Sequence, residues 1–312
     1  MDSVVTEQSS IVKIIESNID FYKAFWTDTY PVQTRLGQNV ILDWLPHEDK
    51  ININPVYKNV EIKYHINNHG YRYYPNNPNK GSKKAFCFGC SFTLGHGLPD
   101  NETWPYILNE KLGKDWSVYN FGVYGSSFEE MARIFYQVIK STPKEEHPAA
   151  VFFLLPDFTR KSYIGNKTNK KPVYTNIVLK KNPEATYEAV IEELKTKNYT
   201  EADIKAKAYS YFSSVQCFFD NVMIFNLVRE ICAKYNIPWF WYTWSHIYWS
   251  LPKEIIAEYM CTENTVTDDN GLKIIDIKPG KSRDSTHCDG YRCEQYANML
   301  YTAYTNYEKS LH

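Results

Sequence analysis

The sequence predicts an α/β fold in which helices cover both faces of a doubly wound parallel sheet, giving three layers. Strand-like and helix-like segments alternate along the central part of the 312-residue chain. Alternation of this kind builds a parallel sheet with right-handed crossovers. The strand-like segments are also continuous apolar runs, such as "AAVFFLL", which suit strands that are covered on both faces.

The predicted elements of this domain begin near position 83. The runs "KKAFCFG" and "WSVYNFG" predict the first two core strands. Between them, "ETWPYILNEKLG" has apolar residues at helical spacing and Gly113 as a C-terminal cap. After the second strand, Ser127 and Glu130 form an S-x-x-E capping box, which typically opens a helix.

Two further strands are predicted from the apolar runs "AAVFFLL" and "IPWFWYTW". A long helical pattern around Phe218–Tyr235 precedes the second of them. One more helix follows, and its inward-facing residues are Tyr296, Met299, Leu300, Ala303 and Tyr307.

Two regions fall outside the alternation. Residues 1–82 are predicted as an N-terminal extension packed on the core, with a helical stretch, "SIVKIIESNIDFYKAFW", and a turn-rich end, "NNHGYRYYPNNPNKG". Residues 83–312 form the α/β domain, which a Lys-rich insert interrupts at about 160–206. The insert suits a surface arm or lid. A solvated excursion with no role is the alternative.

Composition narrows the class of protein. The net charge is -1 and no basic run could follow a phosphate backbone, which argues against a nucleic-acid partner. No stretch approaches the ~18 apolar residues of a membrane span, and "MDSVVTEQSS" lacks a basic signal region. Seven cysteines are an odd number without a secretory signal. We therefore expect a soluble protein that is cytoplasmic or otherwise not Sec-exported, with reduced thiols.

The stretch "FGCSFTLGHG" places Cys90 and Ser91 directly after the first core strand. Parallel sheets bind ligands at this carboxyl edge. Gly89 and Gly95 permit a tight turn that would hold the serine hydroxyl in the open. A structural loop serine is the alternative.

A base for this serine is available in "SRDSTHCDGY", where Asp284 and His287 stand three residues apart before the last helix. Serine is a poor nucleophile without a base, and the base needs an acceptor on its other ring nitrogen. Asp284 and His287 supply both if their turn faces Ser91 across the sheet edge.

A third stretch, "YNFGVYGSS", carries Asn120, Gly122 and Gly125 in an N-x-G-x-x-G pattern after the second strand. Glycines there let backbone N–H groups approach a developing oxyanion. A helix-entry turn is an alternative reading. A dinucleotide loop is rejected, because the motif lacks the G-x-G pair and follows the second strand instead of the first.

In this order, the three stretches resemble the sequence blocks of the SGNH, or GDSL-type, hydrolases, a family of serine esterases and acyl-transfer enzymes with a flavodoxin-like fold. "FGCSFTLGHG" looks like the G-D-S block, "YNFGVYGSS" like block two and "DSTH" like the D-x-x-H block. "NNHGYR" is similar to a stretch of uncharacterised members, some of them in phage genomes, so this protein is a candidate for association with a virion if it is phage-encoded. The resemblance covers about residues 66–157 and 207–308.

The resemblance implies that Ser91 is the nucleophile, His287 the general base and acid, and Asp284 the orienting carboxylate. The backbone N–H groups of Ser91 and Gly125 would form the oxyanion hole. The substrate would be a small-molecule or glycan oxygen ester, such as an acylated carbohydrate, and no cofactor or metal is expected. Cys90 stands where the family usually has aspartate and would shape the turn.

The chain departs from the family at block three, where G-x-N-D supplies a side-chain amide to the oxyanion. The matching strand end reads "FFLLPDFTR", which leaves Pro156 or Asp157 at that place. Losing one such donor typically costs about 3 to 4 kcal/mol of transition-state stabilisation. Arg160 is the first candidate to replace it, and the other candidates are Thr159, Asn68 and Arg72.

Thiol chemistry is one competing hypothesis. Cysteine thiolates beside His287 could in principle gather round zinc, or a C-x-x-C pair could act in redox chemistry. The cysteines concerned are Cys87, Cys90, Cys288 and Cys293. Against this, Cys87 sits within an apolar run, where cysteine is more often a small core hydrophobe.

A degenerate module, which keeps the fold and binds a glycan without turning it over, is the second competing hypothesis. The missing amide supports it. So do aromatic residues in and after the last predicted strand, which are Trp239, Trp241, Trp244 and Trp249. Some of these would be core residues.

Overall fold

A computed structural model describes residues 32–35, 38–42, 55–57, 60–67, 69–77, 79–158, 160–166, 172–177, 214–245, 248, 251–268, 271–273, 281–282 and 287–312. Its strands are β1 (Val32–Arg35), β2 (Gln38–Leu42), β3 (Lys63–Ile66), β4 (Lys83–Gly89), β5 (Trp116–Gly122), β6 (Ala150–Leu155), β7 (Lys161–Asn166), β8 (Pro172–Ile177), β9 (Trp239–Thr243), β10 (Thr267–Asp268) and β11 (Gly271–Leu272). Its α-helices are α1 (Ser91–Leu94), α2 (Trp104–Leu112), α3 (Phe128–Ser141), α4 (Ser214–Tyr235), α5 (Lys253–Tyr259) and α6 (Gly290–Ser310).

The central sheet has four strands in the order β5–β4–β6–β9, and each pair in it is parallel. The first core strand of the sequence therefore lies inside the sheet, between the second and the third. Gly89 at the end of β4 stands opposite Gly122 of β5 and Leu154 of β6. The carboxyl ends of these strands consequently meet at one edge, which is where the chain continues into Ser91.

The sheet separates two hydrophobic cores, because side chains alternate between the faces of a strand. Cys87 and Phe152 face one core, which α2 and α6 cover. Phe88 and Phe153 face the other, which α3, α4 and α5 cover. This arrangement confirms the predicted three-layer α/β fold. None of the helices in the described ranges is long and apolar enough to cross a membrane.

The local signals in the sequence correspond to the ends of these elements. Both "KKAFCFG" and "WSVYNFG" are strands from their first residue to their last. Ser127 is the N-cap of α3, and its Oγ accepts a hydrogen bond of 3.2 Å from the Glu130 N–H. Gly113 ends α2 with a φ of 89°. Each of these predictions is confirmed.

The polar region before the sheet contains an antiparallel sheet in the order β1–β2–β3. Tyr64 and Ile66 of β3 are buried in the core that also holds Cys87. The helix predicted from "SIVKIIESNIDFYKAFW" lies outside the described residues. The insert begins with β7 and β8, which pair antiparallel. The division of the chain at residue 82 stays a prediction.

Candidate active site

Ser91 and His287 meet at the carboxyl edge of the sheet. Ser91 is buried at the start of α1, and His287 precedes α6. Ser91 Oγ and His287 Nε2 lie 2.8 Å apart, although the residues are 196 positions apart in sequence. A serine hydroxyl at hydrogen-bond distance from an imidazole can pass its proton to that ring. Asp284 lies outside the described residues, so its place on the far ring nitrogen stays a prediction.

Short backbone contacts hold His287 in this position. The Ser282 N–H donates to the His287 carbonyl over 3.0 Å, and Lys281 and Cys288 form an isolated β-bridge. Two positions further on, Asp289 is the N-cap of α6, with its carboxylate accepting from the Arg292 N–H at 3.0 Å. The histidine is thus fixed between a bridge and a capped helix.

Aromatic rings that the sequence analysis did not single out surround the His287 ring. The ring centroids of Phe92, His96 and Tyr124 lie 5.4, 4.8 and 6.0 Å from that of His287. The signal that could have found them is position. Phe92 and His96 follow the nucleophile candidate in "FGCSFTLGHG", and Tyr124 lies in the turn after β5.

In the predicted oxyanion turn after β5, Asn120 and Gly122 form hydrogen bonds that hold the turn in place. Asn120 Nδ2 donates to the Thr93 carbonyl (2.8 Å) and to the Tyr74 hydroxyl (2.7 Å), while its Oδ1 accepts from the Gly122 N–H (2.8 Å). These hydrogen bonds use the Asn120 amide and the Gly122 N–H, two groups of the predicted oxyanion pattern, so neither is left for an oxyanion. As a correction, both residues hold the turn against α1.

Close packing explains the glycine at position 122. A Cβ there would collide with the backbone of Leu94 in α1. Gly125 is different, since it has a φ of 74° and, within the described part of the chain, no carbonyl accepts its N–H. Of the glycines in the pattern, Gly125 is the remaining oxyanion donor candidate.

Arg72 clamps the loop that follows α1. It is buried, with 1% of its surface exposed. Nη1 donates to the carbonyls of Leu94 (3.0 Å) and Gly95 (2.8 Å), and Nη2 donates to that of Leu98 (2.9 Å). Nε and Nη2 also donate to Asp100 Oδ1, at 3.0 and 2.7 Å. Because all five guanidinium hydrogens are used, Arg72 is corrected from an oxyanion candidate to a structural residue.

Asp100 is shared between Arg72 and His65, whose Nδ1 lies 3.2 Å from Asp100 Oδ2. Burial pushes the pKa of Asp100 upward, but hydrogen bonding from His65 and the charge and hydrogen bonds of Arg72 outweigh it. The net result is a pKa below the ordinary value of a carboxyl. The ionised form of Asp100 is therefore part of the folded structure.

The strand end at block three carries Pro156 and Asp157, both buried, and Arg160 follows in the turn. The Arg160 N–H donates to the Asp157 carbonyl over 3.0 Å. The Arg160 guanidinium carbon lies 5.0 Å from the centre of the Trp244 ring. Trp244 in turn stacks on Phe92, with centroids 4.5 Å apart and planes 5° apart. Thr159 and Asn68 lie outside the described residues.

Some polar atoms at this edge are buried and have no hydrogen-bond partner among the residues that the structure describes. They are four atoms of three residues: Arg160 Nε and Nη1, Trp244 Nε1 and Ser245 Oγ. A buried polar group without a partner costs about 1–3 kcal/mol, and a charged group costs more. Native proteins keep few such groups, and those that remain call for a functional explanation.

The cysteines do not gather at one point. Cys87 packs in one core and Cys90 in the other, so the C-x-x-C pair is split by the sheet. Burial raises the pKa of the Cys87 thiol well above its usual value. Cys288 Sγ and Cys293 Sγ are 3.4 Å apart, and no disulfide joins any of the seven cysteines, all of which are described and buried. No group of three or more metal-ligating side chains occurs among the described residues.

The tryptophans separate into core and site residues. Trp239 and Trp241 are buried in the core beneath α4. Trp244, one residue beyond β9, contacts Phe92 at the site. Trp249 lies outside the described residues. Of the three described tryptophans among these candidate sugar platforms, Trp244 is the one that contacts Phe92, the residue after Ser91.

Comparison with known proteins finds no matching family model and no matching curated protein. Among solved structures, the chain is similar to the psychrotrophic esterase EstA from Pseudoalteromonas sp. inhibited by monoethylphosphonate, with 10% identity, a TM-score of 0.38 and coverage of 73% of this chain and 99% of that one. A carbohydrate acetylesterase family member from Sinorhizobium meliloti has 14% identity, a TM-score of 0.28 and coverage of 70% and 96%. A lipolytic G-D-S-L family member from Veillonella parvula DSM 2008 has 14% identity, a TM-score of 0.26 and coverage of 69% and 95%.

Proposed function

We propose that the protein is an SGNH-type serine hydrolase, which cleaves or transfers an acyl group on an oxygen ester through a Ser91 acyl-enzyme. One observation carries the proposal, namely the 2.8 Å contact of Ser91 Oγ with His287 Nε2. The contact lies at the carboxyl edge of a parallel sheet, where such folds bind their ligands. Nucleophile and base at hydrogen-bond distance are the minimum that serine acyl transfer requires.

In the first half-reaction, Ser91 Oγ attacks the ester carbonyl carbon while His287 Nε2 takes the hydroxyl proton. The carbonyl oxygen becomes an oxyanion, which the backbone N–H groups of Ser91 and Gly125 would stabilise. When the tetrahedral intermediate collapses, the ester C–O bond breaks. His287 returns the proton to the departing alcohol, and the acyl group stays on Ser91.

The second half-reaction repeats these steps with a new acceptor. Water or a sugar hydroxyl attacks the acyl carbon and gives its proton to His287, which passes it back to Ser91 Oγ as the acyl group leaves. Asp284 would hold the imidazole through its far nitrogen. A sugar as second acceptor makes the protein an acyltransferase, and water makes it an esterase.

The rings around His287 favour a substrate with flat or apolar surfaces. Phe92, Tyr124 and Trp244 lie at the site, and Tyr124 is 42% exposed. Aromatic rings of this kind pack against the apolar faces of a ligand while a few polar groups orient it. An acylated carbohydrate fits this chemistry.

The test is labelling of the intact protein with a fluorophosphonate, followed by peptide mapping, together with assays on nitrophenyl acetate and acetylated sugars. We expect covalent modification of Ser91 and release of acetate. Heat-unfolded protein is the control, because reactivity of Ser91 depends on His287 being folded beside it. No labelling of the folded protein and no acetate release would contradict the proposal.

A catalytically degenerate module that binds a glycan is the second candidate function. The observation that favours it is the strand end at Pro156 and Asp157, which offers no side-chain amide at block three. The same assays separate the two functions. Calorimetric binding of an acetylated sugar without any release of acetate would favour the binding module.

A further inference from the structure

Three residues at the carboxyl ends of β6 and β9 carry buried polar atoms that have no hydrogen-bond partner in the described part of the chain. They are Arg160 through Nε and Nη1, Trp244 through Nε1 and Ser245 through Oγ. Arg160 packs over the Trp244 ring, and Ser245 follows Trp244 in sequence. The acyl-transfer steps proposed above use none of these polar atoms. We refer to these three residues as the donor cluster.

We propose that the donor cluster is a binding site for a carboxylate that the ester substrate carries on its acyl or its alcohol part. Arg160 offers N–H groups in a planar fork that matches the two oxygens of a carboxylate. Trp244 Nε1 is a donor only, and Ser245 Oγ donates or accepts. A set dominated by donors is best completed by a group that only accepts, and an ionised carboxylate is such a group.

The positive charge of Arg160 is not neutralised by an ion pair with any described acidic residue, so it is available to an anion of the substrate. Among the described residues, no carboxylate lies within ion-pair distance of its guanidinium. Asp157 is the nearest acid in sequence, and its backbone carbonyl, not its carboxylate, meets the Arg160 N–H. The Asp157 carboxylate acts on Tyr248, whose pKa is raised by burial and then by this charge.

The position of the donor cluster indicates that it binds part of the ester substrate instead of a separate ligand. Trp244 stacks on Phe92, which follows Ser91, and the Phe92 ring lies 5.4 Å from that of His287. Phe92 and Trp244 would thus lie between a carboxylate held by Arg160 and the reacting carbonyl. This places Arg160 as a specificity residue instead of the oxyanion donor that the sequence favoured. The inference rests on the proposed ester hydrolase function.

The decisive experiment measures binding in the Ser91→Ala variant, so that no turnover is needed. Calorimetry compares two pairs of unreactive amides, each with an anionic and a neutral member. In 4-acetamidobenzoate and 4-acetamidobenzamide the charge is on the leaving-group side, and in N-phenylsuccinamate and N-phenylsuccinamide it is on the acyl side. We expect the anion of one pair to bind at least about tenfold more tightly than its neutral partner, as a hydrogen-bonded charge pair provides.

Arg160→Gln in the same background should remove that preference, and Arg160→Lys should keep part of it. Arg229→Gln, at an exposed position of α4, is the matched control and should change nothing. Thermal unfolding of each variant verifies that it is folded. Equal binding of the anionic and neutral members by the Ser91→Ala protein would overturn the inference.

A kinetic measurement on protein that retains Ser91 separates this inference from the proposed function. The assay measures kcat/KM for a neutral ester, phenyl acetate, and for two anionic esters. The carboxylate is on the leaving group in 4-acetoxybenzoate and on the acyl group in phenyl succinate. Arg160→Gln should lower kcat/KM only for the anionic ester. An equal loss for both would make Arg160 an oxyanion donor and overturn the inference. Absence of all turnover would refute the hydrolase, while the binding result would still be readable.

Discussion

Ser91→Ala is expected to abolish ester turnover and fluorophosphonate labelling, with kcat falling by about 10⁴- to 10⁶-fold. The alanine removes the only atom that we propose to become acylated. Its hydroxyl oxygen lies 2.8 Å from His287 Nε2, the base that we propose to activate it. Initial rates on nitrophenyl acetate and intact-protein mass after labelling measure the effect.

Cys90→Ala is the matched control, since it alters the neighbouring side chain in the same turn. Cys90 is fully buried in the core beneath α3 and α4, and it caps α1 without a side-chain hydrogen bond. We expect this variant to lose some stability but to keep turnover within about tenfold of the parent, as a residue outside the reacting groups would. The reverse pattern, with Cys90 essential and Ser91 dispensable, would refute the assignment of the nucleophile.

The core strands and helix ends could be predicted because their causes are local. The run "KKAFCFG" is mostly apolar because both faces of its strand are covered by other parts of the chain. Ser127 caps α3 by accepting a hydrogen bond from a residue three positions away. Ser91 and His287 could be predicted as partners because chemistry requires a base near a serine. Their meeting at one sheet edge follows from the parallel pairing of β4.

The roles of Asn120, Arg72 and Arg160 could not be predicted, because their partners are set by tertiary packing. Asn120 fits an oxyanion pattern in sequence, yet its amide is used on Thr93, 27 positions away. The short distance along the chain between Arg160 and block three predicts a place near the oxyanion. Whether its side chain reaches Ser91 or packs on Trp244 depends on β9, which no local pattern around Arg160 encodes.

Arg72→Met is the substitution for which we expect the largest loss of stability. Arg72 is buried against Asp100 and three carbonyls, so methionine would fill the space but leave those acceptors without donors. Removing one partner of a buried ion pair typically costs about 3–5 kcal/mol. Urea unfolding followed by circular dichroism measures the change. A loss below about 1 kcal/mol, as exposed ion pairs give, would contradict the clamp.

Turnover provides a second readout for the clamp, because the carbonyls of Leu94 and Gly95 that Arg72 holds lie in the turn carrying Ser91. Arg72→Lys restores the charge but not the fork of donors, and it should recover only part of the stability.

Asp100→Asn tests the same ion pair through the pH dependence of stability. The pKa of Asp100 is lowered in the folded state, so its ionisation adds stability above the ordinary carboxyl pKa, and this is lost as pH falls through the folded value. The free energy of unfolding should therefore fall more steeply with acid in the parent than in Asp100→Asn, and parallel acid profiles would show that the pair contributes nothing.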